Sequence, residues 1–232
     1  NPDNSSKHKT CIDCHMTYMR DGEFAPLSGF STDGGALKKD VKVHYFAGSN
    51  HFLPGLKNKE NEEQTLQLLK TSAKLDVSIS KDEVKVGVTN VGAGHHLPTG
   101  VADFRELWLD ISIKDAEGKT VFESGKLKAD GNLGNDARVF MKVFGDENGK
   151  KADLLFWKYK KMLSDTRIPS GERREEVYKT DILKSAKYPL AVSVKLNFRI
   201  YPQWVTDAVK KSYPQLPDPP VVTISKIQKK FN

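Results

Sequence analysis

The spacing of hydrophobic positions changes near residue 74. From there, apolar and polar residues alternate over 75–80 (Leu-Asp-Val-Ser-Ile-Ser) and again over 84–88 (Val-Lys-Val-Gly-Val). A period of two is typical of a β-strand that buries one face. The three residues between the runs, Lys81-Asp82-Glu83, are polar and short enough for a turn. Together they predict a β-hairpin.

Six later segments carry the same strand pattern. They are separated by turn sequences rich in Asp, Asn, Gly and Pro, and they span residues 107–113, 119–123, 138–144, 175–180, 191–200 and 221–224. The prolines within 202–220 exclude a central strand there. Residues 152–162 fit either a helix or an irregular crossing. Short strands with regular turns predict an antiparallel, immunoglobulin-like β-sandwich over 74–232.

The first part of the chain has no such pattern. Residues 1–59 contain many glycines and prolines and predict a loop-rich segment. Residues 60–73 begin with acidic side chains and place Leu66, Leu69 and Ala73 on one stripe, which predicts a short connecting helix. The chain is therefore predicted to be mainly β, with a first domain over 1–73 and the sandwich over 74–232.

The loop-rich segment contains both cysteines of the chain. Cys11, Cys14 and His15 form the sequence C-x-x-C-H, the attachment motif of c-type haem. It predicts one haem c per chain, with thioether bonds to the two cysteines and the imidazole of His15 as proximal iron ligand. A structural zinc site would need a second ligand pair. A thioredoxin-like dithiol would follow a strand, whereas polar residues precede Cys11.

The second axial ligand is open among four histidines. His44 is favoured because aromatic residues and glycines surround it over 43–56, a composition that suits packing against a flat macrocycle. His51 lies in the same segment and is an alternative. His95 and His96 are further alternatives, although their glycine- and proline-rich segment, 92–100, also fits a structural turn. His8, just before the motif, fits a ligand to a different haem.

The net charge and the aromatic residues limit the classes of partner that the chain can be expected to bind. The formal charge of +7 is spread along the chain, so it describes either a solvated surface or steering towards an acidic redox partner. The aromatic residues show no nucleic-acid-binding pattern. No apolar run approaches the roughly 18 residues of a membrane span. Trp108 and Trp157 are predicted in the core, and Trp204 is the candidate partner anchor.

Several segments together resemble the C-terminal region of bacterial multihaem c-type cytochromes. The resemblance rests on Cys11–Met16, 44–48 (His-Tyr-Phe-Ala-Gly), 90–100, 105–110, 167–171 and 196–201. It implies a periplasmic or extracellular electron carrier with a terminal β-sandwich and bis-histidine haem, which favours His44. Relatives carry several C-x-x-C-H motifs and this chain has one. The resemblance therefore implies either a monohaem protein or a fragment of a multihaem one, exported behind a leader or further chain.

The predicted function is low-spin, outer-sphere electron transfer rather than an enzymatic reaction. Two alternatives stay open: a haem sensor or enzyme with an open or weakly ligated iron, and an interaction module in which haem is structural. Binding of CO or cyanide separates the first alternative from a carrier. The sequence leaves the oligomeric state open.

Overall fold

A computed structural model describes residues 9–232 of the chain. The chain divides into two compact units, Asn1–Thr71 and Ser72–Asn232. The division lies close to the boundary predicted between residues 73 and 74. His8 lies outside the described residues.

The first unit contains short helices and two small hairpins where the sequence predicted mainly loop. Its elements are α1 (Cys11–His15), β1 (Met19–Arg20), β2 (Glu23–Phe24), β3 (Leu27–Phe30), β4 (Leu37–Val41), α2 (Phe52–Gly55) and α3 (Lys59–Lys70). β1 pairs with β2, and β3 pairs with β4. Each hairpin is too short to show a clear period in the sequence, which is why only the last helix was predicted.

Helix α3 confirms the predicted connecting helix, with a different start and end. Asn58 is its N-cap, and the Asn58 side chain accepts a hydrogen bond from the backbone N–H of Asn61 at 3.1 Å. Gln64 is buried on α3 and exchanges two hydrogen bonds with the backbone of Met19, at 2.6 and 2.9 Å. This side chain fixes α3 against the β1–β2 hairpin. Ala73, expected on the helix stripe, lies in the first strand of the second unit.

The second unit is built from antiparallel strands. They are β5 (Ala73–Ile79), β6 (Glu83–Asn90), β7 (Glu106–Lys114), β8 (Thr120–Ser124), β9 (Val139–Phe140), β10 (Lys142–Gly145), β11 (Lys161–Asp165), β12 (Arg173–Lys179), β13 (Leu190–Arg199) and β14 (Val222–Phe231). One sheet has the order β14-β13-β7-β8, with β9 also on β7, and a second has the order β12-β6-β5. The mainly β, sandwich-like fold predicted from the sequence is confirmed.

The core of this unit follows from the alternation in its strands. On β7, Leu107, Leu109, Ile111 and Ile113 are fully buried, and on β6 the alternate valines Val84, Val86 and Val88 are also fully buried. The rings of Phe122 on β8 and Tyr178 on β12 meet edge to face with centroids 5.8 Å apart. This contact joins the two sheets, and strands with one apolar face supply the core between them.

The predicted strand over 138–144 is interrupted. At Met141 the chain leaves the large sheet, and its backbone N–H donates to the hydroxyl of Thr166 at 2.9 Å instead of to a strand partner. β9 therefore pairs with β7, whereas β10 pairs with β11. Met141, expected in the core, is partly exposed.

The region over 152–162 contains a 3-10 helix, Phe156–Lys158, and the beginning of β11. Trp157, predicted in the core, is 67% exposed, so that prediction is wrong. Its position was inferred from residue type alone, whereas Trp157 lies in the connection between the two strands of the β10–β11 ribbon. Trp108 is buried as predicted, and its indole N–H donates to the carbonyl of Gly125 at 3.0 Å.

Two helices complete the unit, α4 (Ile182–Ser185) and α5 (Gln203–Lys210). α5 lies in the proline-rich region, beginning directly after Pro202, where proline is well suited to the helix start. Trp204 on α5 is exposed, as a partner anchor requires. Within residues 9–232, no helix has both the length and the apolar composition needed to cross a bilayer.

Candidate functional site

The C-x-x-C-H sequence forms a single helical turn, α1. Thr10 precedes it as N-cap, and both the backbone N–H and the hydroxyl of Thr10 donate to the carboxylate of Asp13, at 2.8 and 2.7 Å. These bonds hold the pKa of the Asp13 carboxyl below its usual range. Lys42 also donates to Asp13 at 3.3 Å. The residue between the two cysteines thus stabilises the turn that carries them.

The helical turn places the two thiols on one side. Cys11 and Cys14 are three residues apart, a spacing at which side chains on a helix are neighbours. Both cysteines are free thiols, with Cys11 exposed and Cys14 partly buried. Burial raises the pKa of the Cys14 thiol. Two adjacent reduced thiols, one open to solvent, fit a double covalent attachment.

The ring of His15 is oriented by a backbone carbonyl. Its Nδ1 atom hydrogen-bonds to the carbonyl oxygen of Ala47, which is a buried residue. Because a carbonyl only accepts, Nδ1 is the donor in this hydrogen bond, and the neutral form of the ring then has its lone pair on Nε2. An imidazole that donates from one nitrogen to a carbonyl and binds metal with the other is a common arrangement in metal sites. The sequence showed no signal for Ala47, since every residue offers a carbonyl.

The loop that carries Ala47 is fixed at both ends. The backbone N–H of Val43 donates to the carbonyl of Met16 at 2.8 Å, next to His15. The side chain of Asn61 on α3 donates to the carbonyl of Tyr45 at 3.0 Å. The Tyr45 hydroxyl donates to Glu60 at 2.5 Å, and this bond raises the pKa of Tyr45 to about 12. We name residues 43–48 with Glu60 and Asn61 the His15 clamp.

Within the clamp, Phe46 adopts a left-handed backbone conformation with φ of 48° and an exposed ring. A non-glycine residue in this region is uncommon and such strain often accompanies functional sites. The turn it makes directs the next carbonyl, that of Ala47, to His15. Its ring meets the ring of His44 edge to face, with centroids 6.0 Å apart.

The four candidates for the second axial ligand are placed very differently. His44 is exposed and lies on the clamp. His51 is fully buried in the same unit, and neither of its ring nitrogens has a hydrogen-bond partner. His95 and His96 are exposed in the second unit. Cys11, Cys14 and His15 thus share the helical turn α1, and His44 lies on the loop whose Ala47 carbonyl contacts His15.

The turn with His95 and His96 is organised by a buried asparagine. The Asn90 side chain donates to the carbonyls of His95 and Ile168, at 2.8 and 3.1 Å, and accepts from the N–H of Ala93 at 3.1 Å. The ring of His95 hydrogen-bonds through Nδ1 to the His96 carbonyl at 3.0 Å. These bonds account for the segment as a structural turn, the role that the sequence analysis weighed against iron ligation. Asn90 itself was missed, although asparagine at the end of a strand is a turn signal.

Burial lowers the pKa of His51, so folding favours the neutral form of its ring. The unfolded chain, with a pKa of about 6.5, then binds more protons below that pH, and the local stability falls as pH decreases through this value. A His51→Leu variant is expected to lose this pH dependence and to be at least as stable at pH 7, because two unsatisfied nitrogens are removed. Hydrogen exchange of the amides of α2 and α3 between pH 7.5 and 5 measures both effects.

The exposed His96 of the second unit provides the control for this experiment, since His96→Leu should leave the pH dependence of α2 and α3 unchanged. Loss of the pH dependence in His96→Leu, or its persistence in His51→Leu, would show that another group causes it.

No three His, Cys, Asp or Glu side chains within residues 9–232 converge as ligands for a bare metal ion. The side chains of Cys11, Cys14 and His15 are adjacent in sequence and do not surround one point, as the ligands of a structural metal ion do.

Comparison with known proteins gives a fold relationship. No protein-family model matches the chain, and no curated protein matches its sequence. Among solved structures, the penta-heme cytochrome c552 from Thermochromatium tepidum superposes with a TM-score of 0.54 at 20% identity, over 83% of this chain and 45% of that chain. The chain thus spans less than half the length of this cytochrome. The comparison shows that the fold of the chain is similar to that of part of this cytochrome.

A second match is a putative beta-galactosidase from Bacteroides fragilis. Its TM-score is 0.25 at 11% identity, over 69% of this chain and 16% of that chain. A similarity at this level carries no structural argument.

Proposed function

We propose that the chain is a c-type cytochrome, or the part of a longer one, that holds one haem through Cys11 and Cys14 and transfers electrons. The observation that carries the proposal is the helical turn α1, in which two adjacent thiols precede an imidazole whose Nδ1 is bound by a carbonyl. The fold similarity to part of a penta-heme cytochrome supports it. So does the agreement between this motif and the attachment sequence of haem c.

The remaining surface of the first unit fits a large apolar group. Among the described residues of this unit, 9–71, the buried hydrophobic residues are few, namely Met19, Ala47, Phe52 and Leu69. Six large apolar side chains in the same range are exposed instead: Ile12, Phe30, Leu37, Phe46, Leu53 and Leu56. So much exposed apolar side-chain area in a small unit supports binding of an apolar group. Ile12 and Phe46, on α1 and on the clamp, are the nearest in sequence to the ligands.

When bound, haem supplies a one-electron Fe(III)/Fe(II) couple. The two thiols would anchor the group, and His15 would hold the iron through Nε2. The Ala47 carbonyl fixes the ring orientation and, by accepting a hydrogen bond from Nδ1, would make His15 a more electron-donating ligand. Such a ligand would favour the ferric state, so the clamp would lower the reduction potential. Asn61 and Glu60 contribute by keeping the Ala47 carbonyl in place.

His44 is the sixth ligand in this proposal. Its ring is solvent-accessible, so ligation requires no opening of the core, whereas His51 would have to leave a fully buried position. Ligation by both His15 and His44 would make the iron low-spin and leave it no site for small ligands.

Replacement of His44 is therefore expected to change the spin state. The His44→Ala variant should convert the ferric protein from low-spin to high-spin absorption and should bind CO when reduced, while haem remains covalently attached. Absorption spectra of both oxidation states are the measurement, with His95→Ala/His96→Ala as the control that stays low-spin. Low-spin spectra in His44→Ala would assign the ligand elsewhere, and a high-spin parent protein would favour the sensor or enzyme alternative.

The proposal includes export and an acidic partner. Haem c is attached outside the cytoplasm in bacteria, so a chain that carries it functions in the periplasm or outside the cell. The formal charge of +7 favours association with a redox protein or haem domain that presents acidic side chains.

A further inference from the structure

The second unit exposes a group of large apolar side chains on its β10–β11 ribbon. Phe156 is 64% exposed, Trp157 67% and Met162 60%, and Leu155 and Leu163 are also exposed. All five fall within residues 154–163, whose sequence is Leu-Leu-Phe-Trp-Lys-Tyr-Lys-Lys-Met-Leu. Single exposed apolar residues are common, but five within ten consecutive residues make this segment a candidate interaction site.

These side chains are held outward by a rigid base. The rings of Phe144 and Tyr159 stack with centroids 4.5 Å apart, and the Tyr159 hydroxyl donates to Asp103. Burial and the Asp103 carboxylate raise the pKa of Tyr159. Phe156 packs edge to face on Trp157, with centroids 5.8 Å apart. The exposure therefore belongs to an ordered surface, which we call the aromatic hairpin (residues 142–145 and 154–165).

The charged side chains in the exposed part of the aromatic hairpin are all positive. Residues 154–163 contain no acidic side chain and three exposed lysines, Lys158, Lys160 and Lys161. None of the three makes an ion pair with any residue in the described part of the chain. The neighbouring Lys151, by contrast, pairs with Asp153 at 2.8 Å. Three unpaired cations next in sequence to exposed aromatic rings favour an anionic partner through charge complementarity.

The lysines favour a lipid surface over a protein. Protein interfaces are enriched in aromatic residues, methionine and arginine but depleted in lysine, and all three cations here are lysines. Tryptophan and phenylalanine at the boundary of the acyl chains, with lysines at the level of the headgroups, are typical of peripheral membrane binding. Each lysine near an anionic surface contributes about a fivefold gain in binding.

We propose that the aromatic hairpin docks onto a bilayer containing anionic lipids, with Phe156 and Trp157 inserted at the interface and the three lysines against the headgroups. The proposal is independent of the haem, since it rests only on residues of the second unit.

The test is cosedimentation of the full chain with phosphatidylcholine vesicles, with and without phosphatidylglycerol. Binding is expected only with phosphatidylglycerol and should weaken as salt is added. In a Trp204→Phe background, Trp157 is the remaining exposed tryptophan, and its emission should shift to shorter wavelength on binding.

Two variants separate the apolar and charged contributions. Phe156→Ser/Trp157→Ser should reduce binding at least tenfold, and Lys158→Gln/Lys160→Gln/Lys161→Gln should reduce it by about a hundredfold. The matched control replaces three other exposed, unpaired lysines of the same unit, Lys114, Lys119 and Lys179, with glutamine, and should bind at least tenfold better than the hairpin triple variant. All these side chains are exposed, so circular dichroism should show an unchanged fold.

Several results would overturn the proposal. These are no binding to phosphatidylglycerol vesicles at low salt, equal binding by Phe156→Ser/Trp157→Ser, or equal losses in the two lysine triple variants. Capture of an acidic protein through the same residues, without vesicle binding, would assign the aromatic hairpin to a protein partner.

Discussion

A Cys11→Ser/Cys14→Ser variant is expected to carry no covalently bound haem. Serine hydroxyls do not add to the vinyl groups as thiols do, so the group is lost when the chain is denatured. The parent chain, exported in a host that attaches haem c, should stain for haem on a denaturing gel, and the variant should give no signal. The effect is all-or-none, because these are the only two cysteines.

The control for this variant is Met16→Leu. Met16 directly follows His15 and is partly exposed, but it supplies no thiol. Its staining should equal that of the parent chain. Haem that stays with the serine variant under denaturing conditions would contradict attachment through α1.

An Arg199→Met variant is expected to destabilise the second unit by about 3–5 kcal/mol. Arg199 lies opposite Glu106 on adjacent strands and donates two hydrogen bonds to one of its carboxylate oxygens, at 2.8 and 2.5 Å. The two side chains are only 3% and 12% exposed. Removal of the guanidinium leaves the carboxylate of Glu106 buried without its partner. Burial already raises the pKa of Glu106 even with the arginine present.

Urea denaturation followed by tryptophan fluorescence measures this loss, and two further variants test its cause. Arg199→Met/Glu106→Leu should recover most of the stability, because it removes both charges from the core. Arg173→Met breaks a pair of similar geometry with Asp76 that is largely exposed, and should cost at most about 1 kcal/mol. Equal losses in Arg199→Met and Arg173→Met would show that burial does not determine the cost.

The strands of the sandwich were predictable because burial on one face imposes a period of two. β5, β6, β7 and β13 were all found this way, to within a few residues at their ends. The break at Met141 was not, since it depends on Thr166, a residue from a distant part of the chain that replaces a strand partner. β11 was missed for a related reason: it is exposed on both faces and therefore has no alternation.

Some residues of the candidate site were likewise predictable from the sequence, and others were not. Cys11, Cys14 and His15 are adjacent in sequence, so their spacing alone identified the motif. The contacts that orient His15 come from Ala47 through its backbone and from Asn61 through a neighbouring carbonyl. Every residue has a backbone carbonyl, so residue type cannot identify the one that accepts from His15. Which segments lie next to each other is known only from the folded chain. Glu106 and Arg199 were likewise visible as residues but not as a pair.

The most direct test of the account is the haem content of the full chain. The protein, exported in a host that attaches haem c, should be purified, denatured and weighed by mass spectrometry, and its pyridine haemochrome spectrum recorded. The account predicts a mass equal to the chain plus one haem and a spectrum with two saturated vinyl groups. A chain at its bare mass, or haem removed by denaturation, would contradict it.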